Sequence, residues 1–361
     1  MEIDIPGIIL KNKLIPIDEV EKYLTEFLND AETPEWEARI FRFILEFLND
    51  DTTITQQTSG TTGKPKTLTL TKSALIASAK ITLETLNIPR SGTAFLCLPI
   101  DYIAGKMLVV RALVGQMNLF YSEPSSMPEL EGIGKIDLCS MVPMQAYNIF
   151  SDYDMLHAMG TLLVGGSEIR PELEEMLQSL KEPAYETFGM AETCSQVGIR
   201  RINGEEKDTK FKILKGFDIS VDERSCMVVN ADFLGEEIVT NDIIELIEGG
   251  YFIWHGRKDN LINSGGKKVH PETIESLIMA RVGHPVAVCG VDDEKLGQRI
   301  VLAVEKQYCS DTKDLENLVK EVLMSHQQPK EFLLLDKIPL NNAFKIDRIS
   351  LKKEIDKLIT F

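Results

Sequence analysis

The sequence predicts an α/β protein: a large layered α/β domain that includes a small antiparallel β region, followed by a small α+β domain. Between residues 52 and 190, short apolar strands alternate with helical patterns, as in layered α/β folds. Between 211 and 254 the predicted strands follow one another in hairpins. After Asp259 the pattern changes to a compact unit, so we expect a core domain over 1–258 and a small domain over 259–361.

The individual elements follow from the periodicity of apolar residues along the chain. We predict a helical lead-in at the N-terminus, with helices over 18–28 and 35–48. Further helices are predicted over 72–87, 105–113, 171–180, 271–282, 314–324 and 346–358. Strands are predicted over 52–56, 67–70, 94–98, 116–120, 136–141, 161–164, 184–187, 243–247, 251–254, 286–291, 299–306 and 331–335.

The composition narrows the class of protein. A formal net charge of −17 disfavours a broad surface for nucleic acid or for an anionic membrane. No apolar run reaches the length of a transmembrane helix, and the first residues lack the features of a signal peptide. The six cysteines are scattered without a Cys-x-x-Cys pair, which is typical of buried thiols in a reducing compartment. We therefore expect a cytoplasmic protein without membrane insertion.

The stretch from 58 to 66 indicates a phosphate-binding loop between two strands. Its residues are Thr58, Ser59, Gly60, Thr61, Thr62, Gly63, Lys64, Pro65 and Lys66. Glycines let the backbone approach a ligand closely, and backbone amides, hydroxyls and lysines together attract an anion. The stretch is not a Walker A loop, because Pro65 stands where that motif requires its second glycine. An ordinary glycine-rich hairpin turn is the alternative.

Three further motifs carry groups suited to a nucleotide. A predicted strand is followed by two glycines, which would let a flat ring lie against the backbone: Gly165, Gly166 and Ser167. Glu192 follows another strand, and its carboxylate could ligate Mg²⁺, which prefers oxygen ligands. Asp242 precedes a strand, and its carboxylate could accept both hydroxyls of a ribose. Taken singly, such residues are more often turn residues, solvated carboxylates or loop caps.

Two stretches in the second half of the chain carry the remaining signals. The stretch 256–269 spans the predicted domain boundary and contains Arg257, Asp259, Gly265, Gly266 and Lys267. A glycine-rich loop at a boundary is where a hinge and a backbone-lined channel are expected. The stretch 338–348 contains Lys345, which taken alone is most simply a surface lysine.

Taken in chain order, the motifs between 58 and 348 resemble those of the adenylate-forming enzymes. This superfamily includes acyl- and aryl-CoA ligases, firefly luciferase and the adenylation domains of peptide synthetases. The stretches 58–66 and 256–269 are the most specific of them. The string at 189–195, the short lead-in and the compact pocket look most similar to the o-succinylbenzoate–CoA ligases of menaquinone biosynthesis.

The resemblance implies a role for each motif residue. The expected catalytic residues are Thr58, Glu192 and Lys345, with Glu192 as the Mg²⁺ ligand and Asp259 as the hinge of a mobile small domain. The expected nucleotide-binding residues are Ser59, Gly60, Thr61, Thr62, Gly63, Lys66, Gly165, Gly166, Ser167, Phe188, Gly189, Asp242 and Arg257. A CoA channel is expected at Gly265, Gly266 and Lys267. The expected acyl pocket contains Tyr102, Lys106, Ser140, Pro143 and Met190, and either Lys106 or Arg111 could meet a second carboxylate on the substrate.

The chain departs from the family pattern at several places. Phe188 replaces tyrosine, Ala191 replaces threonine, and both Asn241 and Phe344 replace glycine. Ala191 lacks a hydroxyl that would contact phosphate, and Phe344 alters the loop that carries Lys345. Only 57 residues precede the predicted phosphate loop, so much of one N-terminal subdomain is expected to be missing or reduced.

The implied reaction uses ATP, Mg²⁺ and CoA in two steps. A substrate carboxylate attacks the α-phosphate of ATP to give an acyl-AMP and pyrophosphate, and the CoA thiol then displaces AMP. The expected partners are a small carboxylic acid, ATP and CoA, with a homodimer as a further possibility. The alternatives are another aryl- or acyl-CoA ligase, an adenylating enzyme with a different acceptor, and a nucleotide-binding protein without turnover.

Overall fold

The computed structural model describes residues 5–57, 67–130, 132–150, 158–167, 169–309, 311–340 and 346–359. Up to residue 257 the elements are β1 Gly7–Leu10, β2 Lys13–Pro16, α1 Ile17–Leu28, α2 Glu35–Leu48, β3 Thr53–Gln57, β4 Thr67–Thr71, α3 Lys72–Thr85, β5 Thr93–Leu96, α4 Ile103–Val114, β6 Asn118–Tyr121, β7 Ile136–Met141, α5 Pro143–Phe150, β8 Met159–Gly165, α6 Pro171–Leu177, β9 Ala184–Met190, β10 Ser195–Arg201, β11 Phe211–Ile213, β12 Asp218–Val221, β13 Cys226–Asn230, β14 Ile238–Ile247 and β15 Tyr251–Arg257. A one-turn 3-10 helix, Lys258–Asn260, follows. The remaining elements are β16 Ile262–Ser264, β17 Lys267–Val269, α7 Pro271–Val282, β18 Val286–Asp293, β19 Gly297–Glu305, α8 Lys313–Val322, β20 Glu331–Leu335 and α9 Arg348–Ile359.

The large sheet has thirteen strands among the described residues, in the order β12-β13-β14-β15-β11-β10-β9-β8-β7-β5-β6-β1-β2. Within the run β1-β6-β5-β7-β8-β9, each pair of neighbouring strands is parallel. Those from β10 to β15 run antiparallel. Helices connect several of the parallel strands and cover the sheet, so strand residues such as Leu138, Leu162 and Val164 are fully buried. The carboxyl ends of the parallel strands therefore meet at one edge, which is where open α/β sheets bind ligands.

The N-terminal residues form more than the predicted helical lead-in. Helices α1 and α2 confirm the two predicted helices, and their buried side chains include Leu24 and Ile44. The hairpin β1–β2 was not predicted; it joins the edge of the large sheet beside β6. Its two turn residues, Lys11 and Asn12, both have positive φ, as a type I′ turn requires. These elements occupy the region where a reduced N-terminal subdomain was expected.

Helix α4 lies inside the main core. Met107, Leu108, Val109 and Val110 are all fully buried between the large sheet and α3. A helix that is apolar on nearly every side belongs in an interior position. The same helix carries Arg111, which is thereby placed in the core at 2% exposure.

The predicted phosphate loop is bracketed by a hairpin. Strands β3 and β4 pair antiparallel, from Thr53 opposite Thr71 to Gln57 opposite Thr67. Both predicted strands are thus confirmed. The loop residues themselves, 58–66, lie outside the described residues.

The second sheet is built from the residues after the 3-10 helix. Strand β19 pairs with β18 along one edge and with β16 and β20 along the other, and β17 pairs with β16. Helices α7 and α8 cover a core that includes Ile274, Val288 and Leu302, and α9 covers a second cluster around Leu351 and Ile355. The order helix, strand, strand, helix, strand, helix agrees with the prediction from sequence.

The predicted α/β fold is confirmed, as is the antiparallel region after 211. None of the described helices is long and apolar enough to cross a membrane. Beyond the hairpin β1–β2, the prediction missed α5, β10, the separate strands β11, β12 and β13, and the hairpin β16–β17.

Candidate functional site

Three neighbouring parallel strands bring separate motifs to one edge of the large sheet. The paired residues Met141 of β7 and Val164 of β8 stand one step before Val142 and Gly165. Gly165 in turn pairs with Thr187 of β9. The predicted residues at these strand ends are therefore neighbours: Ser140, Pro143, Gly165, Gly166, Ser167, Phe188, Gly189 and Met190. Residues up to fifty positions apart in the sequence become neighbours because these strands pair in parallel register.

The two glycines at the end of β8 stand where a side chain would be unfavourable, for two different reasons. A Cβ on Gly165 would collide with the Thr187 hydroxyl, and Gly166 has φ +96°. The ideal Cβ of Gly166 would lie 3.4 Å from Val142 Cγ1. The result is a stretch of bare backbone beside the end of β9, and such a surface suits close contact with a flat ring.

Phe188 belongs to an aromatic cluster of the antiparallel region. Its ring lies 5.4 Å from Phe252 and 5.8 Å from Phe211, edge to face, and 6.2 Å from Trp254. Edge-to-face pairs of this kind hold a ring in a defined orientation. Trp254 also donates a hydrogen bond from Nε1 to Oδ1 of Asp242, at 3.1 Å. The cluster therefore links the end of β9 to the carboxylate predicted to bind ribose.

The turn between β9 and β10 is tightly wound. A Cβ on Gly189 would collide with the backbone of Ser195, so only glycine fits. Cys194 and Ser195 both have positive φ, at 54° and 114°. Such backbone conformations cost energy in residues with side chains, and they are concentrated at functional sites.

Thr193 uses its hydroxyl inside this turn. The residue is fully buried, and its Oγ1 donates toward the carbonyls of Ser195, at 2.7 Å, and Met190, at 3.1 Å, while accepting from the Met190 amide. The hydroxyl is therefore engaged within the protein. It does not replace the one that Ala191 lacks, so a phosphate at this turn would have to be bound by other groups.

Glu192 lies at the apex of the turn and is half-buried. No hydrogen bond or ion pair joins its carboxylate to another of the described residues. The same part of the chain contains no group of three or more His, Cys, Asp or Glu side chains that could hold a metal ion. A single unpaired carboxylate fits Mg²⁺, because this ion is commonly bound through one or two carboxylates together with phosphates and water.

Arg111 lies beneath the turn. Its Nη2 donates to Ser195 Oγ at 2.9 Å and to Gln196 Oε1 at 2.6 Å, and Gln196 Nε2 donates to Thr82 at 3.0 Å. Burial lowers the pKa of Arg111 to about 9. The guanidinium thus ties α4 to the strained turn that presents Glu192, a support that the sequence did not reveal.

Lys106 faces a different groove from most of the predicted acyl pocket. Its amine donates to the carbonyl of Thr55 at 2.8 Å and lies 5.3 Å from the Phe43 ring centroid. Burial lowers the pKa of this lysine. The groove, of about 390 Å³, is lined by Arg39, Arg42, Phe43, Glu46, Thr55, Gln57, Thr67, Ile100, Asp101 and Lys106. The structure therefore places the Lys106 amine against the middle of β3. Tyr102, Ser140, Pro143 and Met190 are not among the residues that line this groove.

A polar cluster joins the predicted ribose site to the predicted hinge. Arg257 donates to Asp242 Oδ2 at 3.2 Å and to Asp259 Oδ2 at 2.8 Å. The amide nitrogen of Asn241 donates to both oxygens of Asp259, at 3.0 and 3.2 Å. Arg257 Nε is buried without a partner in the described structure. The cluster lies where the chain leaves β15 of the large sheet for β16 of the second sheet.

The predicted CoA-channel residues form the tip of the β16–β17 hairpin. Gly265 and Gly266, with φ of 60° and 76°, turn the chain between the paired residues Ser264 and Lys267. All three predicted channel residues are exposed. The predicted catalytic Lys345 lies outside the described residues, as do Thr58, Ser59, Gly60, Thr61, Thr62, Gly63 and Lys66.

Residues 14–231 match the family model described as AMP-binding enzyme. The chain belongs to this family. The match confirms the family predicted from the motifs, and it spans the bracketing hairpin, the strand-end glycines and the β9–β10 turn.

Relatives of this AMP-binding enzyme extend the similarity beyond that range. The 2-succinylbenzoate–CoA ligase of Lactococcus lactis is 27% identical over 331 residues, covering 85% of this chain and 72% of the relative. Among solved structures, an acyl-CoA synthetase (AMP-forming)/AMP-acid ligase II-like protein from Dyadobacter fermentans is 30% identical with a TM-score of 0.60. It covers 91% of this chain and 96% of its own, so a relative of closely similar extent exists. The o-succinylbenzoate CoA synthetase of Bacillus subtilis, solved with its acyl-adenylate intermediate, has a TM-score of 0.74 at 23% identity, over 82% of this chain and 68% of its own, which supports the fold.

Proposed function

We propose that this AMP-binding enzyme is an AMP-forming acid–CoA ligase that converts o-succinylbenzoate to its CoA thioester through an acyl-AMP intermediate. The observation that carries the proposal is the meeting of the family motifs at the carboxyl edge of β7, β8 and β9, beside the aromatic cluster and Asp242. The substrate assignment rests on relatives named 2-succinylbenzoate–CoA ligase, which resemble this chain over more than four-fifths of its length.

The nucleotide would lie across this edge. Bare backbone at Gly165 and Gly166 suits the adenine, with Phe188 and Gly189 at the neighbouring strand end. Asp242 is nearly buried and would accept the ribose hydroxyls. Arg257, with one buried donor unpaired, would contact the nucleotide as well. The stretch 58–66, which joins β3 to β4 in the sequence, would bind the departing pyrophosphate.

Two charged residues would act on the phosphates. Glu192 would hold Mg²⁺, which offsets phosphate charge when bound. Lys345 would stabilise the charge that develops as the substrate carboxylate attacks the α-phosphate. We expect Ser140, Pro143, Met190 and Tyr102 to border the acyl group, and we expect less from Lys106 because its amine is bound to Thr55.

The second half-reaction would use a rotated small domain. We propose a domain boundary at 258/259, with Asp259 as the hinge, because the large sheet ends at Arg257 and the second sheet begins at Ile262. Rotation would withdraw Lys345 and bring Gly265, Gly266 and Lys267 to the site as the wall of a CoA channel. A cytoplasmic location and a homodimer remain predictions; cell fractionation tests the first and light scattering in solution tests the second.

The deciding experiment incubates the protein with ATP, Mg²⁺ and CoA and a panel of acids. The panel contains o-succinylbenzoate, benzoates, fatty acids and amino acids, and pyrophosphate and CoA ester are measured together. Ester from o-succinylbenzoate alone supports the proposal, whereas ester only from another acid replaces the substrate. Pyrophosphate without ester indicates another acceptor, and bound AMP without turnover indicates a nucleotide-binding protein.

A variant pair tests the assignment of Lys345. Lys345→Ala should lower acyl-AMP formation by roughly a hundredfold or more and leave thioester formation from supplied acyl-AMP intact. The exposed Lys337→Ala is the matched control and should change neither rate. An equal loss of both half-reactions in Lys345→Ala would contradict the assignment.

A further inference from the structure

The residue before Asp242 departs from the family pattern, and the structure shows what its side chain contacts. Asn241 stands on β14, where the family motif has glycine, and its amide nitrogen donates to both carboxylate oxygens of Asp259 at 3.0 and 3.2 Å. Its carbonyl oxygen accepts from Arg224 Nη1 at 3.1 Å. A glycine could make none of these contacts.

Arg224 fixes the orientation of this amide. The guanidinium donates to Asp222 at 2.6 Å and to the Thr240 carbonyl at 3.1 Å, in addition to Asn241. With its oxygen held by an arginine, the Asn241 amide must present its NH₂ group to Asp259. Arg257 binds the same carboxylate from the end of β15, at 2.8 Å. Two residues of the large sheet therefore hold one carboxylate of the segment leading to the second sheet.

We propose that Asn241 is a positioning residue that latches the segment at Asp259 in the orientation seen here and so sets the balance between the two half-reactions. The inference rests on the proposed function. In the latched orientation the Gly265–Gly266 turn is exposed, and an ideal Cβ on Gly266 would meet no atom within 4 Å. The tip of the proposed CoA-channel loop thus touches none of the described strand-end residues at these positions. On this proposal, thioester formation requires the contact between Asn241 and Asp259 to break, whereas acyl-AMP formation does not.

The size of the effect follows from the contacts that would be lost. Asp259 and Arg257 are about one-third exposed, so water replaces part of what Asn241 supplies. Hydrogen bonds from a neutral donor to a partly exposed carboxylate shift an equilibrium by about fivefold. Asn241→Ala should therefore raise the ratio of thioester formation, from supplied acyl-AMP, to ATP–pyrophosphate exchange by about fivefold. Asn241→Asp should raise it further at low salt, because it sets a second carboxylate against Asp259.

The experiment measures both half-reactions for these two variants and for Asn29→Ala. Asn29 is exposed at the end of α1, and its side chain has no described contact, so this control should match the wild type. A ratio within twofold of the wild type in Asn241→Ala overturns the proposal. So does a ratio that falls, since it would mean that the latch favours the second step.

A second readout needs no substrate and separates the latch from the proposed function. The amide of Leu261 donates to the Lys258 carbonyl at 3.2 Å in the turn that contains Asp259. Hydrogen exchange at Leu261 should be several-fold faster in Asn241→Ala, and unchanged exchange would overturn the latch. If the wild type forms no CoA ester but exchange still accelerates in the variant, the proposed function fails while the latch stands.

Discussion

Replacement of Arg348 by methionine should strongly destabilise the part of the chain that contains the second sheet. Arg348 begins α9 and forms two hydrogen bonds of 2.6 Å with the two carboxylate oxygens of Glu275 on α7. It also donates to the Val288 carbonyl at 2.8 Å. Glu275 is only 2% exposed. Removing the arginine leaves a buried carboxylate with one remaining donor, the Val288 amide at 2.6 Å.

The expected loss is about 3–5 kcal/mol of unfolding free energy, the usual cost of leaving one member of a buried ion pair unpaired. The loss should depend on pH in a defined direction. Burial already raises the pKa of Glu275 above its usual value, with Arg348 opposing the shift. Without Arg348 the folded-state pKa rises further, so the penalty is complete above that pKa and shrinks as pH falls through it and the carboxyl becomes protonated.

The assay is urea unfolding followed by circular dichroism at pH 7.5 and 5.5. Arg348→Met combined with Glu275→Gln should recover most of the lost stability, because no buried charge remains. Lys353→Met, at an exposed position of the same helix, serves as the control and should stay within about 0.5 kcal/mol of the wild type. A loss below about 1 kcal/mol in Arg348→Met, or a loss that grows as pH falls, would refute the reasoning.

Two further predictions concern the strand-end site and its turn. Gly165→Ala should cost about 1–3 kcal/mol of unfolding free energy, because its Cβ collides with the Thr187 hydroxyl. Adding Thr187→Ala should restore much of this loss, and denaturation of the single and double variants tests both expectations. Thr193→Val should cost about 1–3 kcal/mol, because it removes the hydroxyl that donates to the Ser195 carbonyl and accepts from the Met190 amide. The exposed Thr25→Val is its control, and equal melting temperatures for the two would contradict this role.

Elements with a strong local signal were predictable from sequence. Helix α7 was predicted to the residue, because Pro271 marks its first position and Gly283, in a left-handed conformation, follows its end. The hairpin β1–β2 was missed because its strands are only four residues long and its turn is Lys11-Asn12, without the glycine that usually announces such a turn.

The side-chain contacts within the candidate site could not be predicted from local sequence patterns. The sequence alone does not assign the Thr193 hydroxyl, and only the path of the β9–β10 turn shows that it bonds Met190 and Ser195. Arg111 was considered as a partner for substrate, but the burial of α4 directs it to Ser195 and Gln196. The Arg111 contacts join residues that are 84 and 85 positions apart, so they depend on how α4 packs against β10. The Thr193 contacts are local, and they depend on the positive-φ path of the turn.

The junction between the two sheets is held by charged and polar side chains. Asp242, Arg257 and Asp259 form one chain of contacts from the large sheet to the 3-10 helix. Beyond it, Asn260 bonds Glu272 at the start of α7.

Oε1 of Glu272 lies 3.7 Å from Nη2 of Arg348. Arg348 in turn follows Lys345 by three residues in the sequence. Apolar packing would resist separation, whereas the contact between Arg257 and Asp259, which is about one-third exposed, can be exchanged for water at small net cost. A junction built in this way can hold one orientation without preventing another. Through the backbone between Asp259 and Asn260, these contacts connect the proposed ribose carboxylate to the beginning of α9. Occupation of the proposed nucleotide site is therefore expected to alter the contacts available to the proposed hinge.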